Sequence, residues 1–318
     1  MKRLLSLKVG VALLVGLLCA GTALALDGLS RPRYDAVAFV QDDQKAAQAE
    51  TACSTCGDMT CADCCRCPGL IGGAELLLMD PHTSAGNNWG GPGGPFTEWG
   101  YEPAWRFWLG YQGANGAGVR VRYFEFDHNQ TYFDPEKLEN ANVRDISLDY
   151  DAWYVDIEYF DNVQIGHWNA ILHGGARHAE LTRFDSIRWL EDPILYENRV
   201  LAKGWGLTAG VELRRPTVWM INLYADLRGS ILFGDSVGQA FQNGQQVDGS
   251  FLENGTGAIL EISTGVEKAW DLASGAQIFG RLGAEAQYWD GFIREFGNAE
   301  QGEAFGLFGW TFAVGLLR

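Results

Sequence analysis

Chemistry in this chain would have to come first from its cysteines. Cys53, Cys56, Cys61, Cys64, Cys65 and Cys67 share one short stretch, ACSTCGDMTCADCCRCPG, and the seventh cysteine, Cys19, lies near the start of the chain. Thiols this close together can pair as disulfides, offer thiolates to a metal in tetrahedral array, or carry out redox chemistry. The two C-x-x-C pairs are closer together than those of zinc ribbons, and further thiols crowd them. An even count in an exported chain favours disulfides, within one chain or between chains, with metal binding and redox chemistry as the alternatives. No metal or cofactor is assigned.

Other residue pairs could support acid–base work. Asp80 with His82 and Asp127 with His128 fall where strands run into long links, and Asp149 with Asp151 adds a carboxylate pair nearby. An Asp–His general base is conceivable at such a rim, which makes a rim-located barrel hydrolase a remote alternative. Hydrolysis of a peptide library, lost in His82→Ala or His128→Ala, would reveal it. The chain contains no H-E-x-x-H motif, phosphate loop or Ser-His-Asp spacing, and the expectation is that it is not an enzyme. His167, His173 and His178 follow one another along one stretch and are read as ordinary strand residues rather than metal ligands.

The elements that must position these groups begin with residues 1–25. Lys2 and Arg3, an apolar middle from Val9 to Leu18, and Ala23-Leu24-Ala25 make a secretory signal peptide with an apolar part too short to span a membrane. Cys19 would leave with it. Residues 26–71 form a polar, Cys-rich linker expected in the periplasm, and residues 72–318 a separate domain. No later apolar run approaches the roughly twenty residues of a spanning helix, so a membrane role must be built from strands. The net charge of −16 argues against nucleic acid as a partner.

Strand periodicity is plain at the end of the chain. In GLFGWTFAVGLLR, Phe308, Trp310, Phe312, Val314 and Leu316 alternate with Gly309, Thr311, Ala313 and Gly315. The same alternation recurs back to Gly73 and gives about ten strands, within a range of roughly eight to twelve. Trp105, Phe107, Phe308, Trp310 and Phe312 are expected to face lipid. Glu75, Arg106, Arg120, Arg122, Asp156, Glu158, Arg177, Glu212, Arg214, Asp226, Arg228, Glu261, Glu267, Arg281 and Glu285 fall on the opposite face and would line a lumen. The strand from Asp145 to Tyr159 changes phase near Ala152, where a bulge is predicted to restore a common face. Short turns at Gln112–Gly116, Asp161–Val163, Arg215–Thr217 and Ala269–Gly275 alternate with long links at Asp80–Glu102, His128–Asn142, Thr182–Lys203, Gly234–Asn254 and Asp290–Phe305. That asymmetry predicts an all-β fold: a transmembrane, antiparallel, up-and-down β-barrel with periplasmic turns and external loops.

The segments GGAELLLMD, AWRFWLGYQGANGAGVRVRYFEFD, GWGLTAGVELRRP and FGLFGWTFAVGLLR resemble the major-outer-membrane-protein-like family of pore-forming outer-membrane proteins. The resemblance covers about Gly72 to Arg318 and leaves out the cysteine segment. It implies an outer-membrane location and a pore. One departure is the end of the chain, where Leu317 and Arg318 stand in place of the aromatic residue that assembly machinery commonly recognises.

Ten strands enclose little space, and near-balanced charges in so tight a lumen suit a salt-bridged plug better than an ion filter. The expected function is a narrow, charge-lined pore for small solutes. The alternative is a non-conducting surface scaffold or adhesin, tethered through its cysteines to a periplasmic partner or to a second copy. Expected partners are outer-membrane lipid, small solutes and the barrel assembly machinery.

Overall fold

A strand with large apolar residues on one side and small or ionic ones on the other cannot stand alone in lipid, because its backbone groups need partners on both edges. The chain solves this by closing on itself. In the computed structural model, which describes residues 68–83, 100–132, 143–189, 195–217, 221–272, 276–294 and 302–317, ten strands follow one another: β1 (Gly69–Thr83), β2 (Glu102–Gln112), β3 (Gly118–Tyr132), β4 (Val143–Ile165), β5 (Trp168–Trp189), β6 (Leu195–Pro216), β7 (Ile221–Gln242), β8 (Gln245–Asp271), β9 (Gln277–Arg294) and β10 (Gly302–Leu317). Each pairs antiparallel with its sequence neighbours, and β1 pairs with β10 from Gly72↔Leu316 to Thr83↔Phe305, which closes the barrel. The expected signal peptide, the cysteine cluster and Arg318 lie outside the described residues.

Alternation decides which side chains meet lipid. Trp105, Phe107, Phe308, Trp310 and Phe312 all point outward and are exposed, as are Leu109, Ile157, Leu207 and Val314. The belt ends abruptly towards the long links. On β3, β4, β5, β6, β7 and β9 an outward ring (Tyr123, Trp153, His178, Trp205, Phe233, Tyr288) is followed two positions further from the short turns by Glu125, Asp151, Glu180, Lys203, Asp235 or Asp290. Rings at the interface with charges just beyond them mark a membrane boundary. Leu207 is 73% exposed at mid-belt. Leu207→Arg is expected to cost about 2–4 kcal/mol, read as a loss of folded barrel in refolding into lipid vesicles, whereas Leu207→Ile should be nearly neutral.

Three expectations about local structure need correction. β4 has no bulge near Ala152: its register is unbroken there, with Ala152 opposite Phe126 on one side and Leu181 on the other. The phase change is real because the surroundings change. Below Asp151 the outer face meets lipid and is apolar, whereas above it the outer face is polar and Leu148 and Tyr150 turn inward. Second, the turn predicted at Asp161–Val163 lies further on, at Gly166-His167, since Ile165 pairs with Trp168.

Third, much of what the sequence suggests are long loops is wall. β5, β6 and β7 each run for 22 residues and β8 for 27, about twice the roughly ten residues that a tilted strand needs to cross. The span Gly234–Asn254 is a hairpin closed by Asn243 and Gly244, whose φ values of 52° and 78° are those of a two-residue type I′ turn. The barrel therefore stands well beyond the lipid belt at the end opposite the short turns. β1 begins and β10 ends at the short-turn end.

Candidate functional site: the ion-paired interior

The inward positions of the belt carry ionic side chains because outward ones cannot. All fifteen charged residues named for the lumen point into the barrel, and most are buried. Glu75 comes from β1, Arg106 from β2, Arg120 and Arg122 from β3, and Asp156 and Glu158 from β4. Arg177 comes from β5, Glu212 and Arg214 from β6, Asp226 and Arg228 from β7, Glu261 and Glu267 from β8, and Arg281 and Glu285 from β9.

They are joined across the interior as well as along the walls. Arg177 donates from Nε and Nη2 to the two oxygens of Asp156 at 2.6 and 2.7 Å, and its Nη1 lies 2.7 Å from Glu261. Its guanidinium is 3.8 Å from the centre of the Tyr154 ring, and the Tyr154 hydroxyl donates to Glu261 at 2.7 Å. Such a two-pronged, stacked geometry is specific to arginine. Arg106 reaches Glu75 at 2.6 Å and Glu285 at 2.8 Å, with Glu261 at 3.5 Å. Arg228 bonds Glu158, which also accepts from Arg120 at 2.7 Å. On the other side Arg281 donates to Glu267 at 2.6 Å and to Glu212, which accepts from Arg214 at 2.7 Å.

Sequence reasoning missed a second layer. Towards the long-link end, inward residues become apolar and aromatic: Leu77, Met79, Phe124, Phe126, Leu148, Tyr150, Leu181, Val200, Trp289, Phe305 and Leu307 form one buried cluster. Tyr150 stacks on Phe305 with centroids 4.7 Å apart, and Phe124 on Tyr154 at 5.0 Å. Trp289 links the two layers, since its indole N–H donates to Gln287 at 3.2 Å and Gln287 donates to Glu285 at 2.9 Å. The signal for this layer is in the sequence, as the same phase inversion that turns Leu148 and Tyr150 inward. The ionic layer and the aromatic layer succeed one another along the barrel, and most of their side chains are buried.

The candidate acid–base groups are divided between the two faces of the β1–β4 wall, and Asp127 lies directly opposite Asp151 on the outer one. Asp80 and His82 are 3.6 Å apart on the outer side of β1. Asp127 faces outward while His128 is buried inside, 3.9 Å from Glu102, so these neighbours lie on opposite faces of the wall. Asp149 and Asp151 face outward on β4. The three histidines separate as well: His167 is in a turn, His173 is buried in the lumen, and His178 lies on the lipid side, stacked 4.3 Å from Trp205 with its Nδ1 3.0 Å from the carbonyl oxygen of Gly204. Among the described residues no group of His, Cys, Asp or Glu is placed to hold a metal ion.

No protein-family model and no curated protein matches the chain. Among solved structures it is similar to the outer membrane protease OmpT of Escherichia coli, at 10% identity over 78% of this chain and 95% of that one, with a TM-score of 0.40. It is also similar to a major outer membrane protein of Thermus thermophilus (8% identity, 78% and 100% of the two chains, TM-score 0.37) and to the translocator domain of the autotransporter NalP of Neisseria meningitidis (13%, 86% and 94%, TM-score 0.36). The expectation that the chain is not an enzyme is corrected by the first of these, because a barrel similar to this one is a protease and a barrel fold gives no ground for excluding catalysis. At these identities the likeness is one of fold and assigns no activity. What the chain has is the fold of an outer-membrane β-barrel, all-β, antiparallel, ten-stranded and closed.

Proposed function

We propose that this protein is a closed outer-membrane barrel that anchors and displays, rather than one that conducts. The preceding Cys-rich segment would hang on the periplasmic side, where β1 begins, with its thiols available for disulfides to a periplasmic partner or a second copy. The tall hairpin walls would stand on the outer side. The observation that carries this reading is the buried ionic and aromatic packing of the interior side chains. A solute crossing the belt would have to part the bidentate Arg177–Asp156 pair and the arginines on Glu261, and then displace Phe124, Tyr154 and Trp289. Buried ion pairs separate only at the cost of leaving uncompensated charges in a low-dielectric space.

The narrow-pore reading, which the family resemblance implies, requires this interior to open. Planar-bilayer recording distinguishes the two. Purified wild-type protein is expected to insert without discrete conductance steps in simple salts, and reproducible steps of fixed size would replace the anchor reading with a pore lined by the same fifteen residues.

A further inference from the structure

The two boundaries of the lipid belt carry opposite charge. At the long-link boundary the outward residues just beyond the rings are Glu125, Asp151, Glu180, Asp235 and Asp290, with Lys203 the one cation among them. At the short-turn end the strands from β5 to β10 present, among the described residues, no outward carboxylate and two outward cations, Arg215 of β6 and Lys268 of β8. Each is exposed and set against a tryptophan. The Arg215 Cζ lies 5.4 Å from the centre of the Trp168 ring of β5, and Lys268 Nζ lies 5.8 Å from that of Trp270. Among the described residues neither cation has a carboxylate within ion-pair distance. Glu212 and Glu267 turn inward to Arg214 and Arg281, and Asp271 accepts from Gln277 at 2.6 Å. One strand separates the two cations: Leu223 of β7 pairs with Arg215 on one side and Val266 on the other, and Ile221 pairs with Lys268. Strand spacing puts them about 10 Å apart across the wall and about 7 Å along it. Ile221 and the exposed Leu223 and Val266 make an apolar floor between them.

We infer that Arg215 and Lys268 form a binding site for the phosphate of an anionic phospholipid in the short-turn leaflet, with its acyl chains against Leu223 and Val266. An aromatic ring holds a cation near the boundary without neutralising it, so both heads stay available to an anion. Tryptophans sit at the depth of lipid headgroups. The guanidinium can donate two parallel hydrogen bonds to the phosphate, while the ammonium donates to another oxygen of the same headgroup. Two cations without a protein counter-charge favour a headgroup of net negative charge over a zwitterionic one. The carboxylates of the opposite boundary repel the same ligand, so the charge pattern selects a leaflet as well as a lipid. A free phosphate ion would meet the charges but leave the apolar floor bare. The site lies on the outer wall and does not depend on whether the interior conducts.

Full-length protein in mild detergent, offered phosphatidylglycerol and phosphatidylcholine together, is expected to retain the first in preference to the second, as read by native mass spectrometry. A basic residue near an anionic lipid surface contributes about fivefold to association. Arg215→Gln or Lys268→Gln should therefore lower that preference about fivefold, and the double variant about thirtyfold. Arg215→Lys keeps the charge and should keep most of the preference. Lys203→Gln, at the opposite boundary, should leave it unchanged, and inorganic phosphate in excess should not displace the lipid. The gel shift of folded against heat-unfolded protein checks that each variant is still a barrel, and the single variants carry the test if the double one does not fold. Equal retention of the two lipids by the wild type, single or double variants that keep the wild-type preference, displacement of the lipid by inorganic phosphate, or an equal loss in Lys203→Gln would each overturn the inference.

Discussion

Arg177→Ala is expected to lower the unfolding free energy of the barrel by about 3–5 kcal/mol, the usual cost of removing one partner from a buried ion pair. One guanidinium holds both oxygens of Asp156, touches Glu261 and covers the Tyr154 ring, and its side chain is fully buried. Its loss leaves Asp156 with only the longer contacts to Arg228 at 3.4 Å and Arg122 at 3.9 Å. Arg177→Lys keeps the charge but loses the paired geometry and the stacking, so it should recover only part of the loss. Thermal denaturation in detergent gives the energies. A bilayer recording of Arg177→Ala reads the same event differently, because freed carboxylates draw in water and discrete conductance steps should then appear. Unchanged stability would mean that the ionic layer is solvated and contributes nothing as a plug.

Trp289→Ala should cost a similar amount, about 3–5 kcal/mol, for a different reason. Trp289 is among the largest fully buried side chains and packs 6.3 Å from Tyr154, where the aromatic layer meets the ionic one. Truncation leaves a cavity that flanking strands cannot collapse into, because the hydrogen-bond ladder fixes their spacing. It also removes the donor to Gln287. Trp289→Phe restores most of the volume without that donor, so the gap between the two variants measures packing and the remainder measures the hydrogen bond. Chemical denaturation followed by tryptophan fluorescence is confounded here, and a gel-shift assay of folded against heat-unfolded protein avoids the problem. Equal midpoints for wild type and Trp289→Ala would show that the upper layer is loosely packed.

The sequence carries a good deal of this, for a definite reason. Lipid forbids charge on one face, so the alternation of Phe308, Trp310, Phe312 and Val314 with small residues, and of Arg120 and Arg122 with Val119 and Val121, writes the strand phase directly into composition. The fifteen inward charges follow from that constraint alone. The rule lapses above the belt. There Asp149 and Asp151 can face outward and Leu148 and Tyr150 inward, and a reader expecting one continuous face supplies a bulge that the backbone does not need. For the same reason Gly234–Asn254, with mixed polarity on both faces of a wall that rises above the belt, looks like loop. Pairings across the lumen were not legible either. That Asp226 meets His173 depends on the register of β5, β6 and β7, and no local pattern reports it.

The seam between β1 and β10 sets a condition on how the protein is made. Gly72 finds Leu316 only when the last strand has been synthesised, so every earlier hairpin must be kept as an open ribbon with two bare edges. Contacts so distant along the chain form slowly, and bare edges cannot be left in hydrocarbon. Membrane entry and ring closure must therefore coincide, with both edges shielded until the final zipper from Thr83–Phe305 to Gly72–Leu316 is drawn shut.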